Sequence, residues 1–171
     1  MSSNTWFTSD THFGHANIVR YCNRPFANVR EMDEALISNW NECVKPKDTI
    51  YHLGDFAFRG DPSPIFRRLN GEKFLLLGNH DVRKVVNKLF GWVKSTYKLR
   101  YNNQRIWLSH YAHLRWPNSH HGSFHLYGHS HGQLEGMGRS MDVGVDVWNY
   151  RPVHIDVVLG TLKGLDATEH H

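Results

Sequence analysis

The chain has 171 residues, of which 40% are hydrophobic and 21% charged, with a formal net charge of +4. That suffices for one domain with its own core, expected over 1–168, and excludes a disordered or disulfide-framed protein. No apolar run reaches membrane-spanning length and no leader-like segment opens the sequence, so a cytoplasmic protein with free Cys22 and Cys43 is expected.

In chain order, Trp6-Phe7-Thr8 reads as a buried strand that gives out at Asp10-Thr11-His12. His15 to Cys22 reads as a short helix with Ile18, Val19 and Cys22 inward, followed by a turn at Asn23-Arg24-Pro25-Phe26. Met32, Leu36, Trp40 and Val44 recur at a helical interval and predict a helix from Glu31 to Val44, stopped by Pro46. Thr49 to Leu53 is a second strand, leading into Gly54-Asp55. Asp61-Pro62 opens a helix over Ser63 to Leu69, and Lys73 to Leu77 is a third strand that runs out at Gly78-Asn79-His80-Asp81. A helix from Asp81 through Phe90 is expected to end at Gly91.

Lys94–Leu99 and Gln104–Leu108 read as two strands joined through Asn102-Asn103, the second leading to His110. Tyr111 to Ser123 has no period and is read as a functional loop. Phe124 to Tyr127 is a strand that delivers Gly128-His129-Ser130-His131. Arg139 to Val145 is another strand, and Ile155, Val158, Leu159 and Leu162 mark one face of a final helix. Helices alternate with strands early and strands cluster late, which predicts a two-sheet sandwich with helices outside. Glu169-His170-His171 reads as a tag remnant.

Five strands therefore end on polar clusters. If they end on one edge, they deliver three Asp, four or five His and one Asn to one spot, and cations are the economical way to compensate them. His52, His125 and His154 read instead as structural histidines. The basic residues are scattered, with no legible basic stripe or aromatic platform, so the charge pattern gives nucleic acid no direct support.

The order Asp-x-His, Gly-Asp, Gly-Asn-His-Asp, His, Gly-His-x-His, from Asp10 to His131, resembles the calcineurin-like metallophosphoesterases, and within them a small bacterial or phage subgroup. The resemblance implies an α/β (α+β) fold, a four-layer αββα sandwich of two mixed β-sheets flanked by helices. It assigns Asp10, His12 and His131 to one divalent ion, Asn79, His110 and His129 to a second, and Asp55 to both. Manganese leads, with Fe, Zn, Ni or Mg as alternatives. The implied reaction is in-line hydrolysis of a phosphoester, a nucleotide among the candidates, by a hydroxide shared between the ions. His80 would be the general acid, with Asp81 accepting from its other nitrogen. His15, Arg59 and His113 are candidates for contact with substrate, and Trp116 either stacks on a base or pins its loop. Asp142 and Asp146 receive no role. The competing functions are a nuclease acting on RNA or DNA and an inactive scaffold with the same fold.

Overall fold

The computed structural model describes residues 3–167, and the expected tag remnant at 169–171 lies outside them. One sheet takes β1 (Thr5–Thr8), β2 (Thr49–His52), β3 (Glu72–Leu76) and β4 (Val93–Lys94) as parallel neighbours. A second sheet takes β5 (Thr96–Tyr101), β6 (Gln104–Ser109), β7 (Phe124–Tyr127) and β8 (Ser140–Asp142), antiparallel at the first pair and parallel thereafter. Finally β9 (Val153–His154) returns antiparallel onto β1, so both sheets are mixed.

The helices are α1 (Ala16–Tyr21), α2 (Val29–Cys43), α3 (Ser63–Arg68), α4 (Arg83–Val86) and α5 (Ile155–Lys163). In α2 the Asn28 side chain accepts from the Glu31 amide while Glu31 accepts from the Ala27 amide, so the helix starts two residues before the expected Glu31. Among the described residues, no helix is long and apolar enough to cross a membrane.

Strand alternation divides the core. Phe7, Tyr51 and Leu76 point toward the second sheet and join Ile106, Leu108, Phe124 and Leu126, with α5 contributing Val158 and Leu162. Ile50 and Leu75 point the other way, against Met32, Leu36 and Trp40 of α2 and Phe90. Because the first sheet is covered on both faces, its strands read as continuous apolar runs.

Three of the expected elements are divided or shortened. The expected strand at 94–99 is divided: Val93–Lys94 extends the first sheet and Thr96–Tyr101 starts the second, so the chain changes sheets at Ser95. The expected helix from Asp81 to Phe90 shrinks to Arg83–Val86 plus turns, because the Asp81 carboxylate is held by three backbone amides of neighbouring loops. The strand expected over 139–145 stops at Asp142, because Gly144 pairs with Ser9 of the first sheet instead. That bridge ties the two sheets together beside the polar clusters.

Candidate metal centre

Parallel strands leave their carboxyl ends on one edge, and a crevice beyond those ends is the common place for a ligand. Here the segments after β1, β2, β3, β6 and β7 meet. Ligand-type atoms of Asp10, His12 and His131 lie within 4.8 Å of one another, as do those of Asp55, His110 and His129. Between the two groups, Asp55 Oδ2 stands 3.5 Å from both His12 Nε2 and His110 Nε2. Asn79 joins the second group through Oδ1, 3.0 Å from His110 Nε2.

The backbone is bent to achieve this. Asp10, His12, Asp55, His129 and His131 all sit at positive φ, between 47° and 64°. Such angles are uncommon outside glycine and are tolerated where surrounding structure enforces them. Two glycines leave room for the carboxylates rather than supplying an unusual turn. A Cβ at Gly78 would strike Asp55, and one at Gly128 would strike Ser9 and Asp10.

Several atoms lack what they need. Asp10 Oδ1 and both ring nitrogens of His12 are buried without any hydrogen-bond partner, an expensive condition for polar groups. His110 Nδ1 donates to the Leu53 carbonyl at 2.8 Å, which turns the Nε2 lone pair toward the acceptors Asn79 Oδ1 and Asp55 Oδ2. Only a proton or a cation reconciles three converging lone pairs. The donor set of carboxylate, imidazole and amide oxygen fits two divalent ions of the Mn, Fe, Zn, Ni or Mg kind.

The surroundings shift the titrations of these groups strongly. Burial pushes the Asp10 carboxyl up to about 7 and His12 down to about 2. Burial would also raise Asp55, but the hydrogen bond and charge of His110 outweigh it and hold Asp55 at about 2. For His131 burial opposes the charge, yet the hydrogen bond to Asp146 prevails and the ring is raised to about 10.

Behind His131 stands a residue that the sequence reading missed. Arg24, placed in a turn and 4% exposed, donates from Nε and Nη2 to the Asp146 carboxylate at 2.8 Å each. The same guanidinium donates to the carbonyls of Asp10 and Thr11 at 2.7 and 3.1 Å. Asp146 in turn accepts from His131 Nδ1 at 2.7 Å, which fixes the ring with Nε2 toward the cluster. Asp142 accepts from Ser130 Oγ and the amides of Gly132 and Gly144, so it shapes the loop that carries His129 and His131.

Other expected residues fall as follows. His80 is exposed above the cluster, its ring 5.3 Å from that of His12 and 5.6 Å from Phe58. The expected hydrogen bond from the His80 ring to Asp81 is replaced: both Asp81 oxygens accept from backbone amides, those of Asp55 and Gly78 at Oδ2 and of Phe56 at Oδ1. Asp81 therefore clamps the Asp55 loop onto the Asn79 loop. His15 makes no side-chain cap for α1; its ring stacks on Phe58 at 3.8 Å and faces His12 and His80. Arg59 is exposed and lies over the same Phe58 ring at 5.2 Å.

His113 does not belong with this group. Its Nδ1 accepts from the Trp107 indole at 3.0 Å and its ring packs on His125, on the outer face of the second sheet. Tyr111, which the sequence reading did not single out, is the residue of this loop beside the cluster, with its hydroxyl 3.3 Å from Asn79 Oδ1 and its ring 4.5 Å from that of His129. Trp116 is buried, donates to the Ser123 carbonyl and packs on His125, so it pins the loop. The three structural histidines are engaged: His52 with Thr11 and the Gly54 amide, His125 with Ser109, and His154 with the Asp156 amide that it caps.

The chain is similar to several known proteins. An uncharacterized protein of Methanocaldococcus jannaschii is 36% identical over 92% of this chain and 90% of its own. The gene 66 protein of Mycobacterium phage L5 is 28% identical, over 85% of this chain and 88% of its own. Among solved structures, a protein of unknown function from Aquifex aeolicus superposes with a TM-score of 0.79 at 26% identity, covering 94% of this chain and all of its own. The family model described as calcineurin-like phosphoesterase matches residues 3–163, and the chain belongs to that family of metal-dependent phosphoester hydrolases.

Proposed function

We propose that this chain hydrolyses phosphoesters, diesters in preference to monoesters, at a centre for two divalent cations with manganese foremost. Asp10, His12 and His131 would hold one cation, Asn79, His110 and His129 the other, and Asp55 both. The observation that carries the reading is the position of Asp55 Oδ2, 3.5 Å from one imidazole of each group. Such a pair of cations supplies an acidic water for attack and positive charge for the phosphoryl oxygens.

The protein's own groups do the rest. Asp146 and Arg24 keep the His131 ring aligned, and the Leu53 carbonyl keeps His110 in the tautomer whose Nε2 is free to coordinate. Asp81 holds the loops of Asp55 and Asn79 in register. His80, exposed at the rim and backed by His12, His15 and Phe58, would give its proton to the leaving alkoxide. Arg59 and His15 flank the same rim and would steady the substrate's phosphate. The open rim favours diesters, because no further element covers it among the described residues. An inactive scaffold is disfavoured by the retention of all seven ligand-type residues together with His80.

His80→Ala should keep its metal content and lose about 10²–10⁴ in rate on esters with poor leaving groups. On bis(p-nitrophenyl) phosphate, whose leaving group needs no proton, the loss should be small. Equal losses on both substrates would remove His80 from the acid role.

A further inference from the structure

We propose that the outer face of β5 and β6 is a track for single-stranded nucleic acid that leads to the metal centre. The proposal rests on the phosphodiester reading above and gives it a substrate class. Alternation along β5 places Lys98 and Arg100 on the exposed face, and alternation along β6 places Arg105 and Trp107 there. The register sets Arg100 directly opposite Arg105 and Lys98 opposite Trp107. Arg24, Arg68 and Arg151 are each paired with a carboxylate, whereas Arg100 and Arg105 form no ion pair with a described residue. Like charges directly opposite each other destabilise a strand pair. Cations on an edge strand guard against sheet-to-sheet association, which accounts for Lys98 and Arg100 on β5. It does not account for Arg105, one strand in.

A cleft of about 160 Å³ opens on this face, walled by Trp107, Pro117, Asn118 and Ser123 and rimmed by Lys98, Arg100 and Arg105, with no acidic residue in its lining. It is smaller than the roughly 300–1,000 Å³ of a site for a drug-sized ligand. A single planar base fits beside the indole while the charged backbone stays outside on the cations. Beyond Arg105 a second cleft continues with His121 and Arg139, again without an acidic residue in its lining. In the other direction the row Arg100, Lys98, Thr96 ends opposite Ser109, the residue before His110. Arg105 to His110 spans roughly 17 Å at strand rise, a distance that a few nucleotides bridge. Phosphate-tracking cations beside an aromatic ring are what an extended, unpaired strand recognises.

The test uses the full chain with Mn²⁺ and a fluorescein-labelled, phosphorothioate-linked single-stranded 12-mer, read by anisotropy across a salt series. Three phosphate contacts predict a slope of log affinity against log salt of about −2. Lys98→Ala/Arg100→Ala/Arg105→Ala should flatten that slope and weaken binding at least tenfold, while hydrolysis of bis(p-nitrophenyl) phosphate stays at the parent rate and reports an intact fold. Trp107→Ala should weaken the 12-mer about tenfold and leave an abasic oligomer unaffected. Undiminished binding by the triple variant would overturn the proposal. A poly-Glu peptide binding as tightly as the 12-mer would also overturn it, in favour of an acidic protein partner. Hydrolysis of the small diester without 12-mer binding refutes the track alone, and binding without any hydrolysis refutes the phosphodiesterase reading instead.

Discussion

Asp146 shows how one carboxylate outside the ligand set can govern the site. It holds the His131 ring at 2.7 Å and neutralises the buried Arg24 fork. Asp146→Asn keeps the shape and removes the charge. The variant should lower Mn²⁺ affinity about 10–100-fold by calorimetry and cost about 3–5 kcal/mol in urea unfolding, because Arg24 is left buried and unpaired. Parent-like values in both measurements would show that the pair is passive. None of this was legible in the sequence. Arg24 and Asp146 stand 122 positions apart, and neither lies in a motif. The polar clusters were legible because each follows an apolar run that marks a strand end, and the choice of ligand-type residues within them came from the family resemblance. Asp81 was legible as part of its cluster but not in its contacts, since a carboxylate beside an imidazole in sequence was free to turn toward three amides.

Elements were read well where burial is two-sided and poorly where the chain changes partners. The strands at Trp6, Ile50 and Phe74 are apolar on both faces, and α2 repeats its apolar positions over four turns. The division at Ser95 and the two-residue β9 left no periodic signal, since a pair of residues has no period. Alternation also hid the basic row: Lys98, Arg100 and Arg105 are interleaved with Leu99, Tyr101 and Ile106, and only pairing of β5 with β6 brings the cations onto one face. The loop from Tyr111 to Ser123 was expected to be functional, and its middle is anchored by Trp116, 5% exposed. Trp116→Ala should destabilise the protein by about 3–5 kcal/mol in denaturant unfolding while the rate per folded molecule on a small diester stays unchanged. A selective rise in KM at parent stability would mean that the indole touches substrate.

At the scale of the molecule, buried neutral histidines set an acid limit. Burial lowers His52 and His125 to about 3 each, against about 6.5 in an unfolded chain. Below 6.5 the unfolded chain takes up protons that the folded one refuses. Their stabilising contribution is therefore complete above 6.5 and is lost as pH falls toward 3, at about 1.4 kcal/mol per pH unit for each group. Urea midpoints should fall steadily between pH 6.5 and 4.5, and His125→Gln should reduce the slope. A flat profile would mean that both rings protonate freely in the native state.

The first group of ligand-type residues draws Asp10 and His12 from the segment after β1, His131 from the segment after β7, and its Asp146 support from beyond β8. A polypeptide emerging from the ribosome cannot complete this group and its support until Asp146 has been made. A truncated product ending before Asp146 should therefore bind Mn²⁺ more weakly than this chain, because His131 would lose the carboxylate that orients it.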